Sequence, residues 1–341
     1  MSSKTSNGMR ILIATGIYPP DIGGPAEYAK NLETVFKKQG HTVVVRHFTI
    51  EKKLPTGIRH LVYFFRILPT MWRTEVVFAL DTWSAALPAF LAARMFGKKF
   101  IIRTGGDFLW ESYVERTGDL VLLKNFYQKS RDRFSRKERI IFSLTRWLLR
   151  AAHTVIFSTE WQRNIFIPVY SLAREKTGIV ENYYGPKEVS YAPERKNFIA
   201  GARPLKWKNI ARLVEAFSRA TKQDGSIEFQ THTERYPIFM ENLAHAYAVI
   251  LVSLGDISPN LILDAVRHNK PFIVTRETGL YDRIKSCALF VDPENVDDIA
   301  EKILWLSVPE NYAVQKKKVE AFTFTHTWKD IANEFLAVTQ G

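Results

Sequence analysis

Two aspartates eight residues apart bracket the run Asp256-Ile257-Ser258-Pro259-Asn260-Leu261-Ile262-Leu263-Asp264. Ser258 has an N-capping side chain and Pro259 suits a first helical position. The run therefore predicts a helix over 259–268, stopped by Asn269 ahead of Pro271. Its free N–H groups suit a phosphate, which makes Ser258, Asn260 and Leu261 candidate contacts. Asp256 in the loop and Asp264 on the second turn suit sugar or ribose hydroxyls, because an ionised carboxylate accepts two hydroxyl hydrogen bonds at once. The competing reading is that acids here offset the helix dipole, which fits Asp256 better than Asp264.

Three further runs carry candidate chemistry. In Gly201-Ala202-Arg203-Pro204-Leu205-Lys206-Trp207-Lys208-Asn209 a strand ends in a loop with three cations just before a helix. Arg203 as a bidentate fork and Lys208 as a point charge could grip a pyrophosphate; the alternative is a solvated basic turn. In the run from Gly16 to Pro25, Gly24 is placed to cap a helix that Pro25 starts, and the Gly23-Gly24 pair lets a phosphate approach the backbone. A tight strand-to-helix turn explains the same residues, and the run is not G-x-G-x-x-G. In Arg103-Thr104-Gly105-Gly106-Asp107-Phe108-Leu109-Trp110-Glu111, Asp107 either binds sugar or acceptor hydroxyls or caps the next helix.

Positioning these residues requires strands that end where the loops begin. Short β-branched or aromatic runs recur at 10–14, 42–47, 76–80, 99–103, 154–158 and 178–181, with helical patterns at 25–39, 61–72, 84–96 and a long stretch over 120–151. The segment 182–195 holds two prolines and a glycine and reads as a linker. The alternation then restarts, with strands at 198–201, 227–231, 248–253, 272–275 and 288–291 and helices near 209–221, 237–246, 259–268, 296–306 and 328–338. Such alternation predicts parallel sheets covered on both faces, with ligands at the carboxyl ends of the strands.

Taken in order, these runs resemble family-4 glycosyltransferases of the GT-B fold over nearly the whole chain. Gly23-Gly24 matches the family's first-strand loop facing the donor, and Arg203 with Lys208 matches its grip on the donor diphosphate. Asp256 and Asp264 stand at the spacing of its E-x7-E pair. The run 269–280 resembles its following strand and turn, Asn182 its entry to the linker, and Trp328 the tryptophan opening a last helix that crosses back to the first domain. The resemblance implies an α/β GT-B architecture: two Rossmann-like parallel-sheet domains facing a central cleft. An acceptor-side domain over 1–190 is expected, with a shortened nucleotide-sugar domain over 191–325 and a C-terminal helix over 326–341 packed on the first. It implies a retaining, metal-independent transferase with no cofactor, moving a sugar from a nucleoside-diphosphate sugar to a glycan or lipid-linked acceptor in cell-envelope polysaccharide synthesis. Asp256 and Asp107 are then the candidate catalytic residues. Gly23, Gly24, Arg203, Lys208, Ser258, Asn260, Leu261 and Asp264 are the candidate donor contacts. The chain departs from the family in having aspartate for both glutamates, Gly105 where many relatives carry histidine, and a short stretch between Arg203 and Asp256. Those departures keep two other readings open: a non-catalytic nucleotide-sugar-binding or scaffold protein, and a sugar-nucleotide epimerase.

Bulk properties agree with a globular two-domain chain: 341 residues, 46% hydrophobic and 24% charged. The single cysteine, Cys287, excludes an intramolecular disulfide framework and points to a reducing, cytoplasmic setting. No Cys/His cluster has metal-ligand spacing. The polar opening MSSKTSNG reads as a loose terminus rather than a signal peptide, and 76–96 reads as strand, turn and helix rather than a membrane span. The formal net charge of +13 calls for an anionic partner. Residues 124–150 carry nine Lys/Arg against Asp132 and Glu138, interleaved with Ile140, Phe142 and Trp147. They suit peripheral contact with an anionic membrane, at its inner face, or else one or two helices with a solvated charged side. No nucleic-acid-binding pattern is present.

Overall fold

The computed structural model describes residues 8–21, 23–201, 205–232 and 236–339. The chain divides into two compact units: Met1–Leu109 with Ser135–Tyr183 and His326–Gly341, and Trp110–Phe134 with Tyr184–Thr325. The elements run β1 (Arg10–Thr15), α1 (Gly24–Lys38), β2 (Thr42–His47), α2 (Ile58–Met71), β3 (Val76–Ala79), α3 (Ala86–Met95), β4 (Lys99–Thr104), α4 (Phe108–Thr117), α5 (Leu123–Lys129), α6 (Arg136–Ala151), β5 (Thr154–Phe157), α7 (Glu160–Tyr170) and β6 (Thr177–Ile179). They continue β7 (Lys196–Gly201), α8 (Ile210–Thr221), β8 (Ile227–His232), α9 (Tyr236–His245), β9 (Ala248–Leu251), α10 (Asn260–Arg267), β10 (Phe272–Thr275), α11 (Tyr281–Ile284), β11 (Leu289–Val291), α12 (Val296–Ser307), α13 (Pro309–Glu320) and α14 (Trp328–Ala337).

The first unit holds a six-stranded sheet in the order β2-β1-β3-β4-β5-β6, parallel throughout. Its strands are apolar runs because both faces are covered. One face packs Ile11, Ile13, Phe78, Ile101 and Ile156 against Tyr28, Leu32 and Phe36 of α1 and Ile331 and Phe335 of α14. Helix α14 therefore returns to α1, as expected. Thr327 and Asp330 start it with a reciprocal capping box, Trp328 sets its ring edge-on to Tyr28 at 5.1 Å, and Phe335 meets Phe78 at 5.1 Å.

The second unit holds a five-stranded parallel sheet in the order β11-β10-β9-β7-β8. Phe198, Phe217, Ile250 and Ile303 lie in the cluster on one face, and Val249, Leu263, Phe272 and Leu243 in that on the other. Each sheet reverses its strand order once, between β1 and β3 and between β7 and β9. Those reversals are the switch points at which ligands enter folds of this kind.

Three expectations need correction. The stretch 120–151 is not one helix: α5 ends at Lys129, a single 3-10 turn covers Arg131–Arg133, and α6 starts anew at Arg136. Ser135 accepts from the Glu138 N–H while the Glu138 carboxylate accepts from the Ser135 N–H, so the backbone leaves one helix and nucleates another. The break coincides with the boundary between the units, and the basic segment 124–150 is shared between them. The cap of α1 is Gly23, at φ 147°, rather than Gly24. Likewise α10 begins at Asn260 with Pro259 at the cap, which leaves Ser258 one residue outside. Helices α4, α7 and α13 were not expected as such.

One buried charge in the second unit makes stability depend on pH. Lys270 is 1% exposed, its Nζ donates to the Tyr191 carbonyl at 2.8 Å, and burial holds its pKa down to about 8. An unfolded lysine titrates near ~10.4. Below pH 8 both states carry the proton and the buried charge opposes folding. Between about 8 and ~10.4 the folded state releases its proton first, so the group's contribution becomes more favourable as pH rises. Lys270→Met is expected to raise the unfolding free energy by about 2 kcal/mol at pH 7, and by much less at pH 10. Denaturant titrations at the two pH values measure this; an equal gain at both would refute the burial argument.

Candidate functional site

In the second unit the loops after β7 and β9 meet in sequence-predicted residues. After β7 the chain makes a 3-10 turn over Lys206–Lys208 and enters α8 through Asn209, whose backbone is left-handed at φ 62°. Asn209 is buried, and its amide donates to the Val252 carbonyl at 3.0 Å and the Pro293 carbonyl at 2.7 Å. Asparagine tolerates this conformation better than most residues. It ties the start of α8 to the chain just past β9 and β11 and fixes where Lys208 stands. The Lys208 Nζ lies 4.3 Å from the centre of the Trp207 ring and 2.7 Å from Asp256 Oδ2. Both charged side chains are mostly buried, so the pair interacts more strongly than an exposed one would.

Asp256 is held by its backbone. Its N–H donates to the Glu277 carbonyl at 2.9 Å and its carbonyl accepts from the Gly279 N–H at 3.1 Å, forming a parallel bridge with Thr278. The bridge prolongs the β9–β10 pairing beyond the strands. Ser253 Oγ donates to Asp256 Oδ2 at 3.3 Å, and Glu277, itself buried, pairs with Lys124. The segment Trp110–Phe134 braces this loop from within the same unit. The Leu254 N–H donates to the Trp207 carbonyl at 2.9 Å, and the Leu254 carbonyl accepts from the Leu123 N–H at 3.1 Å. Gly255 is buried so close that a Cβ there would stand 2.5 Å from Leu123 Cβ and 3.3 Å from the Trp110 ring. None of Asn209, Gly255, Leu123 and Trp110 was picked from the sequence. Only the Asn-to-helix step at Asn209 carried a local signal.

The other expected contacts are distributed as follows. Ser258 lies half-buried ahead of α10, and Asn260 and Leu261 form its first turn, with Asn260 exposed. Asp264 is buried on α10 and pairs with Arg267 at 3.2 Å; Arg267 also pairs with Glu188. The structure thus brings Lys208 and Asp256 together and engages Asp264 with its own helix. Arg203 lies outside the described residues.

The first unit carries Gly23, Gly24 and Asp107. Gly23 caps α1 in a conformation open only to glycine, with Pro25 following in the first turn. Asp107 is buried at the entry to α4. Its loop hangs on a buried polar network: Thr104 Oγ1 donates to the Gly106 carbonyl at 2.9 Å, and Gln162 Nε2 reaches Thr104 Oγ1 at 3.2 Å and the Gly106 carbonyl at 3.3 Å. Ser158 Oγ donates to the Thr104 carbonyl at 3.2 Å. Arg103 closes this network over the Tyr28 ring. Among the described residues no group of three His, Cys, Asp or Glu side chains could hold a metal ion.

No protein-family sequence profile matches the chain, and no curated protein matches it in sequence. Solved structures match it closely in shape. HepE of Anabaena, solved with UDP and glucose, superposes with a TM-score of 0.69 at 12% identity, covering 98% of this chain and 100% of HepE. Sucrose-phosphate synthase from Thermosynechococcus elongatus gives 0.70 at 12% identity over 97% and 98% of the two chains. The lipopolysaccharide outer core galactosyltransferase WaaB gives 0.63 at 13% identity over 97% and 99%. With its two parallel sheets, their matching strand reversals and the return of α14 onto α1, the chain has the GT-B fold.

Proposed function

We propose that this protein is a retaining glycosyltransferase that moves a sugar from a UDP-sugar to a glycan or lipid-linked acceptor of the cell envelope, in the cytoplasm. The observation that carries the reading is the Lys208–Asp256 pair, mostly buried at 2.7 Å in the loops after β7 and β9. In this reaction the bond from the sugar C1 to the diphosphate oxygen breaks and its electrons leave with UDP. The acceptor oxygen, passing its proton to the departing diphosphate oxygen, bonds C1 on the same face. The growing charge on the diphosphate needs fixed positive groups, which Lys208, Arg203 and the N–H groups at Ser258, Asn260 and Leu261 supply without a metal. Asp256 orients the sugar hydroxyls, Asp264 the ribose, Gly23-Gly24 admits the donor to the backbone, and Asp107 takes an acceptor or sugar hydroxyl. The complexes of HepE with UDP-glucose and with UDP and glucose support a uridine nucleotide.

Purified protein is expected to show a thermal shift with one member of a UDP-sugar panel and to transfer that sugar in the presence of EDTA. Asp256→Asn is expected to lower kcat by about 10²–10³-fold with the melting temperature nearly unchanged. Gly255→Ala, which pushes the Asp256 loop off Leu123 and Trp110, is expected to weaken donor binding. Undiminished transfer by Asp256→Asn would end this assignment. The shorter aspartates favour a second reading, a nucleotide-sugar-binding protein without turnover, which predicts a thermal shift and no product. An epimerase would release free nucleotide without any acceptor.

We further propose that the protein touches an anionic membrane surface through α2 and α3, on the first unit. Ile58, Leu61, Phe65 and Trp72 recur at helical spacing and are 55%, 57%, 59% and 75% exposed, and Leu91 and Met95 are exposed on α3. Residues 58–73 and 84–99 contain no acidic side chain and include Arg59, Arg66, Arg73, Arg94, Lys98 and Lys99. An apolar face framed by cations suits the interface of a bilayer carrying anionic lipid. The basic segment 124–150 is divided between the units; its α6 turns Ile141, Phe142, Leu148 and Leu149 inward and leaves Ile140 and Trp147 exposed. No described helix is long and apolar enough to cross a membrane. Vesicles containing phosphatidylglycerol are expected to co-sediment the protein at low salt, phosphatidylcholine vesicles much less so. The double variant Leu61→Glu, Phe65→Glu is expected to stay in the supernatant. Unchanged sedimentation of that variant, or a dimer of the parent protein that it dissolves, would overturn the membrane assignment.

A further inference from the structure

Arg103 is a buried cation that no carboxylate among the described residues neutralises. It stands at the carboxyl end of β4, is 7% exposed, and rests its guanidinium 4.0 Å above the Tyr28 ring. Its Nη2 donates to Ser158 Oγ at 2.9 Å and to Asn182 Oδ1, both neutral acceptors. Among the described residues no Asp or Glu oxygen lies within ion-pair distance of it. A guanidinium has five N–H donors. Two are engaged here, and the Nε–H is buried without an acceptor. Among the described residues no acceptor stands at hydrogen-bond distance and angle from the Nη1 pair, which faces the backbone of Gly105, itself exposed.

Gly105 is what leaves Nη1 uncovered. A Cβ at that position would fall 2.6 Å from Nη1 and 3.3 Å from Cζ. Its backbone does not lie in the left-handed region, so glycine is not required there by conformation. A side chain there would instead displace the guanidinium from its present seat or cover its Nη1 donors. A desolvated positive charge with idle donors is costly unless something negative meets it. Arginine is moreover the side chain best shaped to meet a planar carboxylate or a phosphate.

We propose that Arg103 and Gly105 form an oxyanion site at the carboxyl edge of the first sheet, taking a carboxylate or phosphate group of a ligand. Ser158, Asn182 and Tyr28 hold the guanidinium still, and the ligand's oxygen takes the Nη1 donors. The site lies in a different unit from Lys208 and Asp256, and its test uses no sugar nucleotide. It therefore stands or falls separately from the transferase reading.

The test is calorimetric titration of the full-length protein with inorganic phosphate and, in a second arm, with glucuronate, at ionic strength matched with chloride and with glucose as the neutral control. One anion is expected to bind, and its identity distinguishes a phosphate ligand from a carboxylate one. Gly105→Ala is expected to weaken that anion at least tenfold while the melting temperature without anion stays within a few degrees of the parent. Arg103→Lys, which keeps the charge and loses the fork, is expected to bind more weakly than the parent. General stabilisation by an excluded salt would act on parent and variants alike. Failure of both anions to bind above the chloride and glucose controls would overturn the site, as would equal binding by the parent and Gly105→Ala.

Discussion

A parallel sheet must be re-entered from the same end at every strand, so all the loops that follow its strands gather along one edge. Both units obey this constraint, and the candidate chemistry follows from it. In the second unit the edge is refined by backbone contacts rather than by side-chain reach. Asn209 adopts a left-handed turn and donates to Val252 and Pro293, which sets Lys208. The Asp256–Thr278 bridge carries the ladder past β9 and sets Asp256. The two charges then meet without either being on a regular element.

How much of this was legible depends on what kind of signal each feature carries. β10 falls where its β-branched run places it, because a strand buried on both faces reads as a continuous apolar segment, and the edge strand β2 is marked by Val43-Val44-Val45. Helix α14 was legible from its amphipathic pattern and opening tryptophan. The break before α6 was missed because the basic amphipathic pattern persists through it, although Ser135 and Glu138 hold the spacing of a capping box. Helix α7 was missed because Pro168 lies inside it, and its cap, Thr159 accepting from the Gln162 N–H, is the weaker clue. The passage of Trp110–Phe134 into the second unit leaves no mark in the alternation of strands and helices.

At the candidate site the division is similar. Lys208 and Asp256 were legible because charged residues in loops after strands are conspicuous. Gly255 and Leu123 were not, because their part is a close approach of backbone to side chain between residues 132 positions apart in sequence. Asp264 shows the limit of spacing as an argument. It stands where its motif places it, yet Arg267 on the next turn engages it and links it to Glu188. Ligand contact at Asp264 must therefore compete with an ion pair already formed, and a hydroxyl that displaces Arg267 leaves that guanidinium still paired with Glu188.

In this basic chain three cations, of which only Lys270 is fully buried, are met by the protein's own groups. Arg66, itself partly exposed, meets the fully buried Glu51 at 2.6 Å. Lys187 reaches the carbonyls of Val266 and Val319, both at 2.8 Å, in the last turns of α10 and α13, where the helix dipole is negative. Lys270 uses the Tyr191 carbonyl in the same manner. In each case the protein itself provides a carboxylate or a carbonyl for the charge. Arg103 receives a hydroxyl, an amide oxygen and an aromatic face, and Gly105 keeps the rest of its fork uncovered. Its partners are enough to hold the guanidinium in place and not enough to neutralise it, which is the balance a binding residue needs and a purely structural cation does not.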